Sequence, residues 1–341
     1  MYTFSLPDPL VTLVIPTLKA GAVLEECVAS LAAQSLRDFQ VIVVDNSGRG
    51  LARQADFKGF PVTILENTRN LGFGAAINQG WRRSSSPFVA TVNDDARAHP
   101  GWLDAMVATL AAHGDAGFCA CRVLLDDGRI SSAGLQLAAD GSSRQRGYGE
   151  PVVNFPKVDD VLIPSGCAAL FRRRMMEETA GFDEDFFLYC EDTDLGLRAH
   201  WAGWRGVYAP DAEVDHAGSH TAGAASPLKA YLVERNRIAL ALKTFPADML
   251  FRAFLAQFVR YFWHMAMLLR GSGKSAEFRD QGHGVAWLAW FVLRAHLAAF
   301  RALPRLWRQR RAIRASARIP ASRFRELARR HSISLRRVAE L

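Results

Sequence analysis

Three short runs concentrate the groups able to move a proton or hold a polar ligand: Asp45-Asn46-Ser47, Asn93-Asp94-Asp95 and Glu191-Asp192-Thr193-Asp194. The first two each close an apolar run, at 41–44 and 88–92. One Asp or Asn after a strand is ordinary turn and capping chemistry. Two such runs at the same edge of a sheet point to a site. In the third run Glu191, Asp194 and Arg198 share one helical face. That spacing suits an acidic first turn with an i,i+4 ion pair, and equally a proton-accepting carboxylate at the start of a helix.

The elements that must position these runs alternate. Apolar stretches at 11–15, 41–44, 62–65 and 88–92 read as strands, and helical spacing recurs at 23–31, 75–83 and 102–112. Short continuous apolar strands between amphipathic helices predict an open α/β sheet, mostly parallel and covered on both faces. In such sheets ligands bind beyond the carboxyl ends of the strands, where the acidic runs fall. Residues 126–158, rich in Gly, Ser and Asp, read as an irregular, exposed insertion with a hairpin. A further strand at 167–171 precedes Gly181-Phe182-Asp183-Glu184 and the third acidic run.

At 341 residues, 50% hydrophobic and 22% charged, the chain has the length of about two compact units and ample core material. This excludes wholesale disorder, a collagen-like repeat and a disulfide scaffold. The five cysteines are scattered without a C-x-x-C pair, so neither a disulfide framework nor a zinc site is indicated, and a reducing compartment fits. Residues 1–8 lack the basic segment and apolar run of a secretory signal, which points to the cytoplasm. The net charge of +8 is uneven: residues 246–341 carry 19 Lys and Arg against 5 Asp and Glu, whereas residues 1–245 carry 23 against 29. Apolar stretches at 250–269 and 285–303 are interrupted by Arg252, Arg260, His264, Arg294, His296 and Arg301. They fall short of the ~20 apolar residues of a spanning helix and read as interfacial. The predicted division is a domain at 1–245 and a basic amphipathic helical extension at 246–341, either resting on an anionic membrane surface or packed on the domain.

In order and spacing, the runs Val11 to Thr17, Val43-Val44-Asp45-Asn46-Ser47, Asn70-Leu71-Gly72-Phe73-Gly74 with Asn78, Asn93-Asp94-Asp95, Gly181 to Glu184 leading to Glu191-Asp192, and Asp215-His216 resemble the family 2 inverting glycosyltransferases with an A-type nucleotide-sugar fold, in particular their rhamnosyltransferase-like branch. The resemblance covers roughly residues 9–245, and Arg235-Asn236-Arg237 also looks like that branch. It implies a Rossmann-like nucleotide-sugar half and a nucleoside-diphosphate sugar donor. It implies Asp192 as the general base, with Glu191 orienting substrate or raising the base's pKa. Thr17, Asp45, Asn70, Gly72, Gly74, Asn78, Asn93 and Asp94 would border the donor, Ser165 and Gly166 the sugar and acceptor. Asp95 and His216 would hold Mg²⁺ or Mn²⁺, a cation that answers the charge developing on the departing diphosphate. His220 is close enough in sequence to His216 to compete for that role.

Departures leave some contacts open. Leu18-Lys19 stands where the family often has an aromatic residue and Asn, and Gly48-Arg49-Gly50 replaces the usual acidic residue after the second strand. Ile77 occupies the place a third glycine would need for a dinucleotide fingerprint, which demotes an NAD-dependent reading. The expected acceptor is a lipid-linked or polysaccharide glycan at the inner face of the cell membrane, and no nucleic acid partner is expected. The rivals are a nucleic-acid-binding protein with a degenerate sugar-nucleotide domain and a non-catalytic nucleotide-sugar-binding scaffold subunit of a glycan assembly complex.

Overall fold

The computed structural model describes residues 9–216, 226–284 and 286–340; Met1 to Asp8, His220 and Val285 lie outside them. The first half runs β1 (Val11–Thr17), α1 (Ala22–Ala32), β2 (Phe39–Asp45), β3 (Val62–Glu66), α2 (Phe73–Trp81), β4 (Phe88–Val92), β5 (Ala96–Ala98), α3 (Trp102–Ala112) and β6 (Ala116–Leu124). Short strands β7 (Ile130–Ser132), β8 (Leu135–Ala138), β9 (Ser143–Gln145) and β10 (Asp159–Asp160) follow, then β11 (Ala168–Arg172), α4 (Arg173–Glu178), α5 (Glu191–Trp201), β12 (Arg205–His216) and α6 (Pro227–Thr244).

The main sheet has the order β10-β12-β6-β11-β4-β1-β2-β3. Pairs β4–β1, β1–β2, β2–β3 and β12–β6 are parallel, and β11 is inserted antiparallel between β4 and β6. The strands are apolar along their length because both faces are covered. Leu24, Val28, Trp102 and Met106 of α1 and α3 pack one face. Ile77, Met175, Leu195 and Ala199 of α2, α4 and α5 pack the other.

The expectation of an exposed irregular insertion at 126–158 is corrected. Strands β8 and β9 do form a hairpin, but Ile130, Leu135, Leu137 and Asp140 are buried. The reason lies far along the chain. Helices α7 (Ala247–Leu269), α8 (Gly273–Asp280), α9 (Ala286–Ala315) and α10 (Ala321–Arg330), strand β13 (Ser332–Ile333) and α11 (Leu335–Glu340) complete the fold. Strand β13 pairs in parallel with β8, and Phe324 stacks on Trp201 with ring centroids 4.5 Å apart. Leu135, Trp201, Phe245, Ile313 and Phe324 form one apolar cluster.

Much of the C-terminal arginine surplus is spent on the protein itself. Arg310 and Arg314 donate to the carbonyls of Leu242 and Thr244, satisfying the end of α6, and Arg305 pairs with Asp185. The apolar stripe read from the sequence is left uncovered, however. Phe251, Leu255, Phe258, Phe262 and Met265 of α7 are all exposed, as are Trp287, Trp290, Leu297 and Phe300 of α9. Helix α9 contains an 18-residue window of mean hydropathy 1.2, so by length and composition it reaches the range of a membrane-crossing helix, which the sequence reading had denied it. It also packs along α6 and carries Pro304.

Candidate functional site

Parallel pairing brings the ends of β1 and β2 level, with Thr17 opposite Asp45. Asp45 is buried, and both carboxylate oxygens are engaged: Oδ1 accepts from the Ser47 amide at 2.7 Å and Oδ2 from the Ala52 amide at 2.8 Å. Its work in the structure is to shape the loop after β2. The Thr17 carbonyl accepts from the Asn46 amide, and the Thr17 hydroxyl donates to Asp94 Oδ2 at 2.6 Å. Burial nevertheless lifts the Asp94 carboxyl above the usual carboxylate range. The Asn93 amide donates to the Cys167 carbonyl at 2.8 Å, so the end of β4 is fixed between β1 and the start of β11.

Antiparallel pairing of β5 with β12 sets His216 opposite Ala96, the neighbour of Asp95. The His216 Nε2 and Asp95 Oδ1 atoms lie 3.1 Å apart. Cys167 beside the ring and then the Asp95 carboxylate raise the imidazole above its ordinary pKa, so that it keeps its proton more readily. A carboxylate oxygen and an imidazole nitrogen in contact fit one divalent cation, whose entry would displace that proton. Among the described residues no group of three His, Cys, Asp or Glu side chains is assembled, so other positions around a cation here would fall to ligand and water.

The second acidic element is the head of α5. Asp192 Oδ2 accepts from the Gly166 amide at 3.0 Å, and Oδ1 accepts from the Thr193 amide at 2.6 Å and the Thr193 hydroxyl at 3.2 Å. Ser165 is buried beside it and its hydroxyl accepts from the Cys167 amide at 3.4 Å. Glu191 is buried with Oε2 lacking a hydrogen-bond partner. Burial, and then the neighbouring Asp192 charge, push its carboxyl up to about 8, and burial also raises Asp192. Phe187, Tyr189 and Cys190, none of them glycine, all have positive φ. This turn stores backbone strain where it delivers the two acids.

The expected donor-bordering run has a different task in part. Asn70 Oδ1 accepts from the Gly72 amide at 2.8 Å, a local turn. Gly72 has φ +90°, and a Cβ there would sit 2.3 Å from the Phe187 carbonyl oxygen; one on Gly74 would sit 3.0 Å from Phe182 Cβ. The close approach these glycines permit is made by the chain's own 182–187 loop. Asn78 is fully buried: Nδ2 donates to the Phe182 carbonyl and to Glu184, while Oδ1 accepts from Trp81 Nε1 and the Phe182 amide. With its amide saturated, Asn78 clamps the loop that precedes the acids.

Two residues of α6 continue that clamp. Asn236 Nδ2 donates to the carbonyls of Phe186, Leu188 and Tyr189 at 2.9, 2.9 and 2.7 Å, and Arg235 to those of Asp185 and Phe186. Arg237 joins Glu234, Asp140 and Arg260 in a buried ionic network. The Arg235-Asn236-Arg237 triplet was visible in the sequence, but its purpose depends on contacts about 50 residues away. A cavity of about 930 Å³ opens in front of the acids, lined among others by Ser165, Cys167, Tyr189, Glu191, Asp192 and His216. It continues to Arg144, Lys229 and the helices α7 to α9, none of which the sequence reading assigned to a site.

Residues 12–179 match the family Glycosyl transferase family 2. Those residues form a domain of that family. The chain is therefore a glycosyltransferase of the A-type nucleotide-sugar fold. It is 29% identical over 232 residues to the N-acetylglucosaminyl-diphospho-decaprenol L-rhamnosyltransferase of Mycobacterium tuberculosis, a match covering 61% of this chain and 76% of the relative. Among solved structures it resembles the mannosyltransferase PcManGT of Pyrobaculum calidifontis in complex with GDP-Man and Mn²⁺, with a TM-score of 0.55, 18% identity and coverage of 92% of this chain and 88% of that one. It also resembles TarS 1–349 of S. aureus in complex with UDP, with a TM-score of 0.50, 17% identity and coverage of 93% and 91%.

Proposed function

We propose that this glycosyltransferase inverts the anomeric centre, depends on a divalent metal, and moves rhamnose or a related sugar from a nucleoside-diphosphate donor to a lipid-linked acceptor in cell-surface glycan synthesis. The observation that carries the reading is the pairing of two carboxylates in unlike surroundings at the mouth of the cavity. Asp192 receives three hydrogen bonds that favour its ionised form, while Glu191 has a buried oxygen without a partner. The shared proton then belongs on Glu191, leaving Asp192 as the base.

In the transfer, an acceptor hydroxyl gives its proton to Asp192 as its oxygen bonds to the anomeric carbon. The bond from that carbon to the diphosphate oxygen breaks, and its electron pair leaves with the diphosphate. A cation held by Asp95 and His216 would neutralise charge on that leaving group. Thr17 orients Asp94 through the 2.6 Å hydrogen bond, and Asn78 and Asn236 fix the loop that presents Asp192. The lipid-linked acceptor is supported by the name of the M. tuberculosis relative and by the uncovered apolar faces of α7 and α9. Residues 246–341 serve in this reading as a helical cover over the 1–245 domain, resting on the anionic cytoplasmic face of the membrane.

The test is a panel of nucleoside-diphosphate sugars assayed for nucleotide release with and without a lipid-linked acceptor. Acceptor-dependent release restored by Mg²⁺ or Mn²⁺ after chelation supports the proposal. Donor binding without turnover under every condition would favour the scaffold-subunit alternative.

A further inference from the structure

The large cavity is lined by groups of three kinds: the acids Glu191 and Asp192, cations that include Arg144 and Lys229, and the apolar side chains Leu268, Phe278, Leu288, Phe291 and Val292. Two of the cations stand apart from the others. Arg237 and Arg260 are neutralised by Glu234 and Asp140. By contrast, neither Arg144 nor Lys229 has a carboxylate partner among the described residues. The Arg144 guanidinium donates only to the carbonyls of Val338 and Ser143, and the Lys229 ammonium lies 5.4 Å from the centre of the Tyr189 ring. Burial and then the positive charges of Lys274 and Arg144 pull the Lys229 pKa below its ordinary value. Two half-buried cations without an ion-pair contact, lining one cavity, favour an anion that joins them.

A short path joins this pair to the base. Asp192 holds Thr193, the Thr193 hydroxyl meets the Ser143 hydroxyl at 2.9 Å, and Arg144 is the next residue. Tyr189, beneath Lys229, has its hydroxyl buried without a hydrogen-bond partner. The apolar wall also includes Met265, which belongs to the exposed apolar stripe of α7.

Building on the reading of Asp192 as the base for a lipid-linked acceptor, we propose that Arg144 and Lys229 bind the acceptor's diphosphate and that its isoprenoid chain runs between α7, α8 and α9 towards the exposed apolar stripe. The three chemistries that line this one cavity, proton acceptor, cations and apolar wall, are those that such a molecule needs for its reacting sugar, its diphosphate and its hydrocarbon. A free phosphate would use only the cations.

The experiment is calorimetric titration of the full-length protein with farnesyl diphosphate, farnesol and inorganic pyrophosphate, in chelator so that pyrophosphate does not recruit metal to Asp95. Farnesyl diphosphate should bind more tightly than either of its halves. Arg144→Gln and Lys229→Gln should each weaken it about tenfold, the loss of a charge-assisted contact, with Lys229→Arg restoring binding. Ala289→Trp, at an exposed position of α9 that lines the cavity beside Leu288, should weaken farnesyl diphosphate and leave pyrophosphate unchanged. Unfolding midpoints of all variants exclude loss of fold as the cause. Wild-type affinity for farnesyl diphosphate in both Lys229→Gln and Ala289→Trp overturns the inference, as does pyrophosphate binding as tightly as farnesyl diphosphate. Either result leaves donor-dependent turnover, and hence the transferase reading, standing. Absence of nucleotide release with any donor removes that reading and is measured separately.

Discussion

The amide of Gly166 donates to Asp192 Oδ2 at 3.0 Å, and a Cβ on Gly166 would lie 3.2 Å from the same oxygen. The loop before β11 thus both stabilises the ionised base and leaves no slack around it. Gly166→Ala should shift the carboxylate by a few tenths of an ångström and lower kcat by about tenfold with little effect on donor binding, because reacting groups tolerate small misplacement poorly. Steady-state kinetics with varied donor and acceptor separate the two effects.

Glu191 gives the pH prediction. Its folded pKa, raised to about 8, lies above its unfolded value, so its contribution to stability is complete below the unfolded pKa and is lost as pH rises through about 8. Glu191→Gln cannot ionise. It should match the wild type near pH 4.5 and exceed it at pH 9 by about 4–5 kcal/mol in unfolding free energy. Because Glu191 is still protonated where Asp192 ionises, Glu191→Gln should leave the acid limb of kcat/KM in place.

The metal pair predicts that chelator abolishes transfer and that Mg²⁺ or Mn²⁺ restores it. Asp95→Ala should lose metal-dependent donor binding, and His216→Ala should do so less severely. Titration of Mn²⁺ by electron paramagnetic resonance reads the site directly, and undiminished Mn²⁺ binding in Asp95→Ala would move it elsewhere.

Asn78 separates scaffold from ligand contact. Asn78→Ala strips hydrogen bonds from the Phe182 amide and carbonyl, Glu184 and the Trp81 indole, and should cost about 2–4 kcal/mol in denaturant unfolding. If Asn78 instead touched the nucleotide, the variant would keep its stability and lose donor affinity.

The sheet was legible because its strands are continuous apolar runs separated by helical spacing, and the acidic runs were legible because they close those strands. Asp192, Asp95 and His216 were legible only through the family resemblance, since an acid at a helix start or a lone His after a strand is by itself ordinary structural chemistry. Asn78 and Asn236 could be named, but not their task, since both act on a loop distant in sequence. The burial of residues 126–158 was hidden for the same reason: the cover comes from Phe324 and β13. Arg144 and Lys229 gave no sequence signal, being single basic residues whose meaning depends on having no acidic partner in space.

The uncovered stripe predicts association with anionic vesicles. Cutting after Phe245 would bare Trp201, Leu240 and Phe245, so truncation is a poor test. The double variant Phe258→Glu with Phe262→Glu alters only exposed positions, 55% and 64% accessible. It should reduce co-sedimentation with phosphatidylglycerol vesicles at least about tenfold, each buried Phe being worth about 1.5–3 kcal/mol, without changing the unfolding midpoint. Salt should weaken the wild-type association.

The central claim is that Asp192 takes the acceptor proton. Acceptor-dependent release of nucleoside diphosphate, measured for wild type and Asp192→Asn at saturating donor and acceptor with donor affinity measured alongside, tests it most directly. The account predicts that the amide variant binds donor as wild type does and turns over about 10²–10⁴ times more slowly. Turnover within a few-fold of wild type at unchanged donor affinity would contradict it and put the base on another residue.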